Sequence, residues 1–126
     1  MLTHLHDLES LEAAIEESRE RPVLLFKHSR TCGISCEAYD ELHSHLETGA
    51  SGSSENGASG LSRKLQDPAY KVITVQSHRH VSDEAATRLG VRHETPQAIL
   101  LRDGKPVWKA SHFRITAAAL AEALSS

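Results

Sequence analysis

The sequence predicts an α/β fold, a mixed four-stranded sheet flanked by helices. Three observations carry that prediction. Short apolar-rich runs occur at Val23–Phe26, Lys71–Val75 and Gln97–Leu101. Amphipathic stretches of helical period separate them, and a strong turn signal, Asp103-Gly104, precedes a last strand-like run, Pro106–Ala110.

Each element has its own reason. Leu8, Leu11, Ala14 and Ile15 recur at helical spacing among Glu9, Glu12, Glu16 and Glu17, which predicts a helix ending near Arg21-Pro22. Val23–Phe26 follows directly, and an unbroken apolar run of this length reads as a strand buried on both faces. His28–Thr31 is a polar loop. Beyond Cys32, a second helix presents Ala38, Leu42 and Leu46 on one face, with Glu37, Asp40, Glu41 and His45 outward. Leu61–Gln66 adds a helical turn before the strand Lys71–Val75. Ser82, followed by Asp83 and Glu84, predicts the start of a third helix, and Gly90 its end. Asp103-Gly104 joins the last two strands as a hairpin. Thr116 caps a final helix carrying Leu120 and Leu124. Strands alternating with helices imply right-handed crossovers and parallel pairing, and the hairpin adds an antiparallel strand. A thioredoxin-like fold satisfies this order.

The 126 residues suit one domain, 1–126, able to bury its own core. The stretch 48–60 is rich in Gly, Ser and Ala and reads as a flexible insertion, since neither flank holds a complete core. A net charge of −3, scattered basic residues and 4% aromatics argue against nucleic-acid binding and a polybasic membrane surface. No apolar stretch approaches the ~20 residues that span a bilayer. Met1–Leu11 carries His, Asp and Glu where a signal peptide would be basic and then apolar. These features predict a cytoplasmic protein, in which two cysteines are catalytic or inert and not a structural staple.

Cys32 stands where the first long strand hands over to a helix. A helix N-terminus offers unsatisfied N–H groups and partial positive charge, which stabilise a thiolate. That placement lowers a thiol from ~8.5 into the range of roughly 3.5–7.5. His28 and Arg30 lie close in sequence and add to the positive field. The alternative, a buried structural cysteine, fits the polar neighbours poorly. Thr95-Pro96 sits just before the third strand, where a thioredoxin-like fold places a cis proline opposite the thiol; a trans proline opening the strand is the other reading. A cis bond there exposes the preceding backbone N–H and C=O to an extended substrate. Ser35 occupies the position of a resolving cysteine, three residues after Cys32, which favours monothiol chemistry. Cys36, four residues on, is a possible resolving thiol, because Cα atoms at i and i+4 are ~6 Å apart, or it is a spectator on the helix flank.

These residues resemble a known family. Phe26–Ser35, Val75–Arg79, Gly90–Gln97 and Ala110–Thr116 are similar, in this order, to segments of the YtxJ-like monothiol bacilliredoxins. The resemblance covers nearly the whole chain outside 48–60. Gly33 departs from the family's usual Thr-Cys-Pro-Ile-Ser motif, and Cys36 stands where the family does not normally carry cysteine. The resemblance implies a thiol–disulfide oxidoreductase with no bound cofactor and bacillithiol as co-substrate. Cys32 would strip that small thiol from S-thiolated client proteins and be regenerated by a second thiol and a reductase. Thr95 and Pro96 would orient the substrate. His93, Arg92 and Arg114 are candidates, by charge, to contact an anionic small thiol.

Two rival classes remain open. Cys32-Gly33-Ile34-Ser35 is close to the Cys-Gly-Phe-Ser of monothiol glutaredoxins, so an iron–sulfur cluster carrier is the alternative, beside a dithiol Cys32/Cys36 redox protein. Nine histidines raise a metal-binding module, but no cluster has the spacing of a closed zinc site, and no metal is expected.

Overall fold

The computed structural model describes residues 2–29, 33–55 and 68–125. The elements in chain order are β1 (Leu2–His4), α1 (Leu8–Glu17), β2 (Val23–His28), α2 (Gly33–Glu55), β3 (Ala69–Thr74), α3 (Arg79–Leu89), β4 (Gln97–Arg102), β5 (Lys105–Ser111) and α4 (Ala117–Ser125). A 3-10 turn, His112–Arg114, joins β5 to α4.

The sheet has five strands in the order β1-β3-β2-β4-β5, one more than expected. β1 and β2 run parallel to β3, while β4 is antiparallel to both β2 and β5. The extra strand is β1. Its three residues carry no apolar run, and Thr3 and His4 are exposed. Backbone pairing with the edge of β3 makes it a strand, and Leu5 beyond it is buried, its N–H donating to the Val72 carbonyl.

β2 and β4 occupy the middle, which explains their unbroken apolar character. Period-two alternation sends Val23, Leu25, Ile99 and Leu101 to one face against α1 and α3. Leu24, Phe26, Ala98 and Leu100 face the other side, with Ala38 and Leu42 of α2 and Leu120 of α4. Burying each such side chain contributes roughly 1.5–3 kcal/mol.

Local chemistry sets the boundaries. Asp7 accepts from the Ser10 N–H at 2.8 Å and caps α1 in a reciprocal box. Thr116 Oγ1 accepts from the Ala119 N–H, capping α4 as expected. Asp103 and Gly104 both have positive φ, 58° and 78°, the geometry of a tight hairpin turn. Gly90 closes α3 in the left-handed region, at φ 66°.

Three expectations are corrected. α3 begins at Arg79, so Ser82 is not its cap; Ser82 is buried within the helix and faces His93. His45 is not outward: it is 9% exposed, and its Nε2 lies 3.0 Å from the Tyr70 hydroxyl. α2 continues to Glu55, into the 48–60 stretch read as a loop. Gly costs a helix interior only ~1 kcal/mol, and each added residue of an established helix gains a hydrogen bond, so composition alone does not stop it. Positions 56–60 of that stretch, and Leu61–Gln66, lie outside the described residues.

Candidate functional site

The candidate site lies where β2 ends and α2 begins. Arg30 and Cys32 fall outside the described residues, and α2 starts at Gly33, the residue after Cys32 in sequence. On the strand side, β2 ends in His28, buried beside Tyr39, with ring centroids 4.5 Å apart and planes at 17°. Its Nδ1 is 2.9 Å from Ser35 Oγ. The same hydroxyl oxygen accepts from the Ser29 N–H at 2.9 Å. Ser35 thus does more than fill the resolving position: its buried hydroxyl ties the loop to the first turn of α2. Gln76, on the loop after β3, donates from Nε2 to Ser29 Oγ at 2.9 Å. Cys36 is exposed and a free thiol.

The loop between α3 and β4 supplies the second wall. The Thr95–Pro96 bond is cis, settling the question the sequence left open. Pro96 is buried and its carbonyl accepts from the His112 N–H at 3.1 Å. Among the described residues, neither the N–H nor the C=O of Thr95 has a hydrogen-bond partner, as an extended ligand would require. Gln97 Nε2 donates to the Arg92 carbonyl at 2.9 Å and fastens the base of this loop.

His93 does not take the outward role charge suggested for it. Its ring turns toward the sheet: Nδ1 is 3.2 Å from Lys27 Nζ and 3.2 Å from Ser82 Oγ, and Nε2 is 3.3 Å from Thr95 Oγ1. Arg92 and Arg114 remain exposed. Lys27 was not singled out from the sequence. It is 0% exposed, and its ammonium donates to the Ser82 carbonyl at 3.1 Å. Burial pushes it down to about 8, with Asp83 pulling the other way. Burial, then the Lys27 charge, also holds His93 below the usual histidine range. The signal for Lys27 was its parity: it continues the inward face of Val23 and Leu25.

On the other side of His28, an open cleft of about 380 Å³ is lined by His4, His6, His28, Tyr39, Ser77 and His78. Among the described residues, no group of three or more His, Cys, Asp or Glu is placed to hold a metal ion. No described helix is long and apolar enough to cross a membrane.

A mixed sheet of this order, with a cysteine preceding the central helix and a cis proline before β4, belongs to the thioredoxin-fold thiol–disulfide oxidoreductases. Solved structures agree. One, a protein with a thioredoxin fold, superposes with a TM-score of 0.72 at 32% identity, over 97% of this chain and 92% of its own. Fasciola hepatica thioredoxin (TM-score 0.66, 15% identity, 98% of this chain and 96% of its own) shares the fold. So does mitochondrial thioredoxin 3 of Saccharomyces cerevisiae (0.67, 14%, 98% and 93%). The family model of the monothiol bacilliredoxin BrxC matches residues 3–120, and the chain belongs to that family.

Proposed function

We propose that Cys32 is the nucleophile of a monothiol cycle that removes bacillithiol from S-thiolated client proteins, in a compartment that keeps thiols reduced. The Cys32 thiolate attacks the small-thiol sulfur of the mixed disulfide. A new disulfide joins Cys32 to bacillithiol, and the client sulfur leaves as a thiolate. A second bacillithiol thiolate then attacks that adduct, forming bacillithiol disulfide and returning Cys32 as a thiolate. In this reading Arg30, two residues before Cys32 in the sequence, is the cation that favours the thiolate, and the Thr95-Pro96 backbone receives the substrate. The observation that carries this reading is Ser35: the position three residues after Cys32 holds a buried hydroxyl engaged with His28 and the Ser29 N–H. A hydroxyl cannot resolve a mixed disulfide, so an outside thiol must.

Exposed Cys36 favours one second reading. Its thiolate would attack the Cys32 adduct, forming a Cys32–Cys36 bridge and expelling bacillithiol. Mass spectrometry after incubation with a bacillithiol-modified protein tests both. The monothiol cycle predicts a bacillithiol adduct on Cys32 in the native chain and in Cys36→Ser, and none in Cys32→Ser. Persistent turnover in Cys32→Ser overturns the proposal. A native chain lighter by two hydrogens, with the adduct trapped only in Cys36→Ser, assigns the dithiol cycle.

A further inference from the structure

The buried ammonium of Lys27 has no part in the exchange chemistry above, yet burying such a charge costs several kcal/mol unless it is well partnered. Its described partners are the Ser82 carbonyl and His93 Nδ1. An ammonium has donors only, so His93 Nδ1 must accept. The ring is then neutral, with its proton on Nε2. That N–H points at Thr95 Oγ1, 3.3 Å away, and occupies an acceptor site of the hydroxyl. The Thr95 hydroxyl proton is left to turn away from His93. Thr95 is half-buried, and its backbone N–H and C=O lack partners among the described residues, so the residue keeps both an accessible surface and donors and acceptors for a ligand. Gln97, opposite Lys27 in the strand register and on the same face, holds the Arg92 carbonyl. The sheet therefore grips this loop at both Arg92 and His93.

We propose that Lys27 and His93 form a buried relay that fixes the Thr95 hydroxyl as a donor to a carbonyl or carboxylate oxygen of the incoming mixed disulfide. His93 is thus a positioning residue acting through Thr95, and Lys27 selects its tautomer. The other charges reaching His93 are Asp83 and Arg79 of α3 and Glu94 beside it. None of them is a hydrogen-bond partner of its ring. The inference rests on Thr95 meeting substrate, as in the proposed function.

The test is a double-mutant cycle in the full chain, reading KM and kcat for a bacillithiol-modified protein. Thr95→Val removes a hydrogen bond worth about three- to tenfold in KM. His93→Leu should raise KM by a similar factor with kcat little changed, and the double variant should be no worse than either single one. His93→Gln, whose amide N–H can reach Thr95, should recover part of the loss. Nitrogen NMR of the native chain should show the Nε2–H tautomer of His93 at pH 7, giving way to a mixture in Lys27→Met. Factors that multiply in the double variant, or a Nδ1–H tautomer in the native chain, overturn the relay while leaving Thr95 a substrate contact. An unchanged KM in Thr95→Val overturns the hydroxyl contact and with it this inference, while the proposed function, which uses the Thr95-Pro96 backbone, falls only if turnover persists in Cys32→Ser.

Discussion

At the residue scale, Lys27 sets function against stability. Its ammonium is buried in a strand centre, and burial lowers its affinity for a proton to about 8 from the usual 10.5. Below about 8 both folded and unfolded chains hold the proton, and the desolvation penalty is fully present. Between that pH and the ordinary value the unfolded chain still binds a proton that the folded chain has released, so stability climbs with pH. Lys27→Met fills similar space without charge. Replacing buried charges by apolar groups is often stabilising, by ~1–4 kcal/mol. The expected outcome is a higher urea midpoint for Lys27→Met at pH 7, with the gap closing by pH 10. A variant less stable than the native chain at pH 7 would mean that the Ser82 and His93 contacts outweigh the desolvation. The same substitution should weaken substrate binding through His93, so stability and KM should both rise.

At the scale of elements, the strand-to-helix junction is held by one hydroxyl. Ser35 Oγ takes the Ser29 N–H and meets His28 Nδ1, both at 2.9 Å. Ser35→Ala deletes both contacts while leaving the fold's apolar layers intact. Losing a buried partner of this kind costs ~1–3 kcal/mol. Urea unfolding of Ser35→Ala should show a lower midpoint with an unchanged slope, and an unaltered midpoint would deny Ser35 this role. This junction also marks how far sequence reasoning reaches. Thr95-Pro96 was legible because a proline at an element boundary departs from its surroundings, and its peptide bond is cis. His28 was legible only by proximity, since its partner is seven residues away and its stacking on Tyr39 depends on α2 lying across β2. Lys27 and His93, 66 residues apart, meet only through the β2–β4 register and the loop before it. Nothing local announces that pairing.

At the scale of the whole molecule, the central strands were legible because β2 and β4 are covered on both faces and so carry unbroken apolar runs. β1 was not, because an edge strand of three residues has no periodicity to read. His45 was misplaced for a different reason. It was read as outward for its polarity, yet it stands three residues after Leu42 and seven after Ala38, toward their apolar face, where Tyr70 of β3 meets it. That burial has a consequence for the whole fold. Burial holds both His45 and His93 below the usual histidine range. As pH falls through about 6.5, the unfolded chain takes up protons on these two residues that the folded chain resists. The histidine contribution should therefore be complete above neutrality, where Lys27 adds its own rise only beyond about pH 8, and stability should fall on acidification toward pH 5, before most carboxylates titrate. His45→Gln separates this contribution, since its amide can still meet the Tyr70 hydroxyl but takes up no proton. Thermal unfolding at pH 7 and pH 5 should show a smaller drop for His45→Gln than for the native chain. Equal drops would show that His45 is charged as readily inside the fold as in the open chain, and would assign the acid sensitivity elsewhere, His93 first.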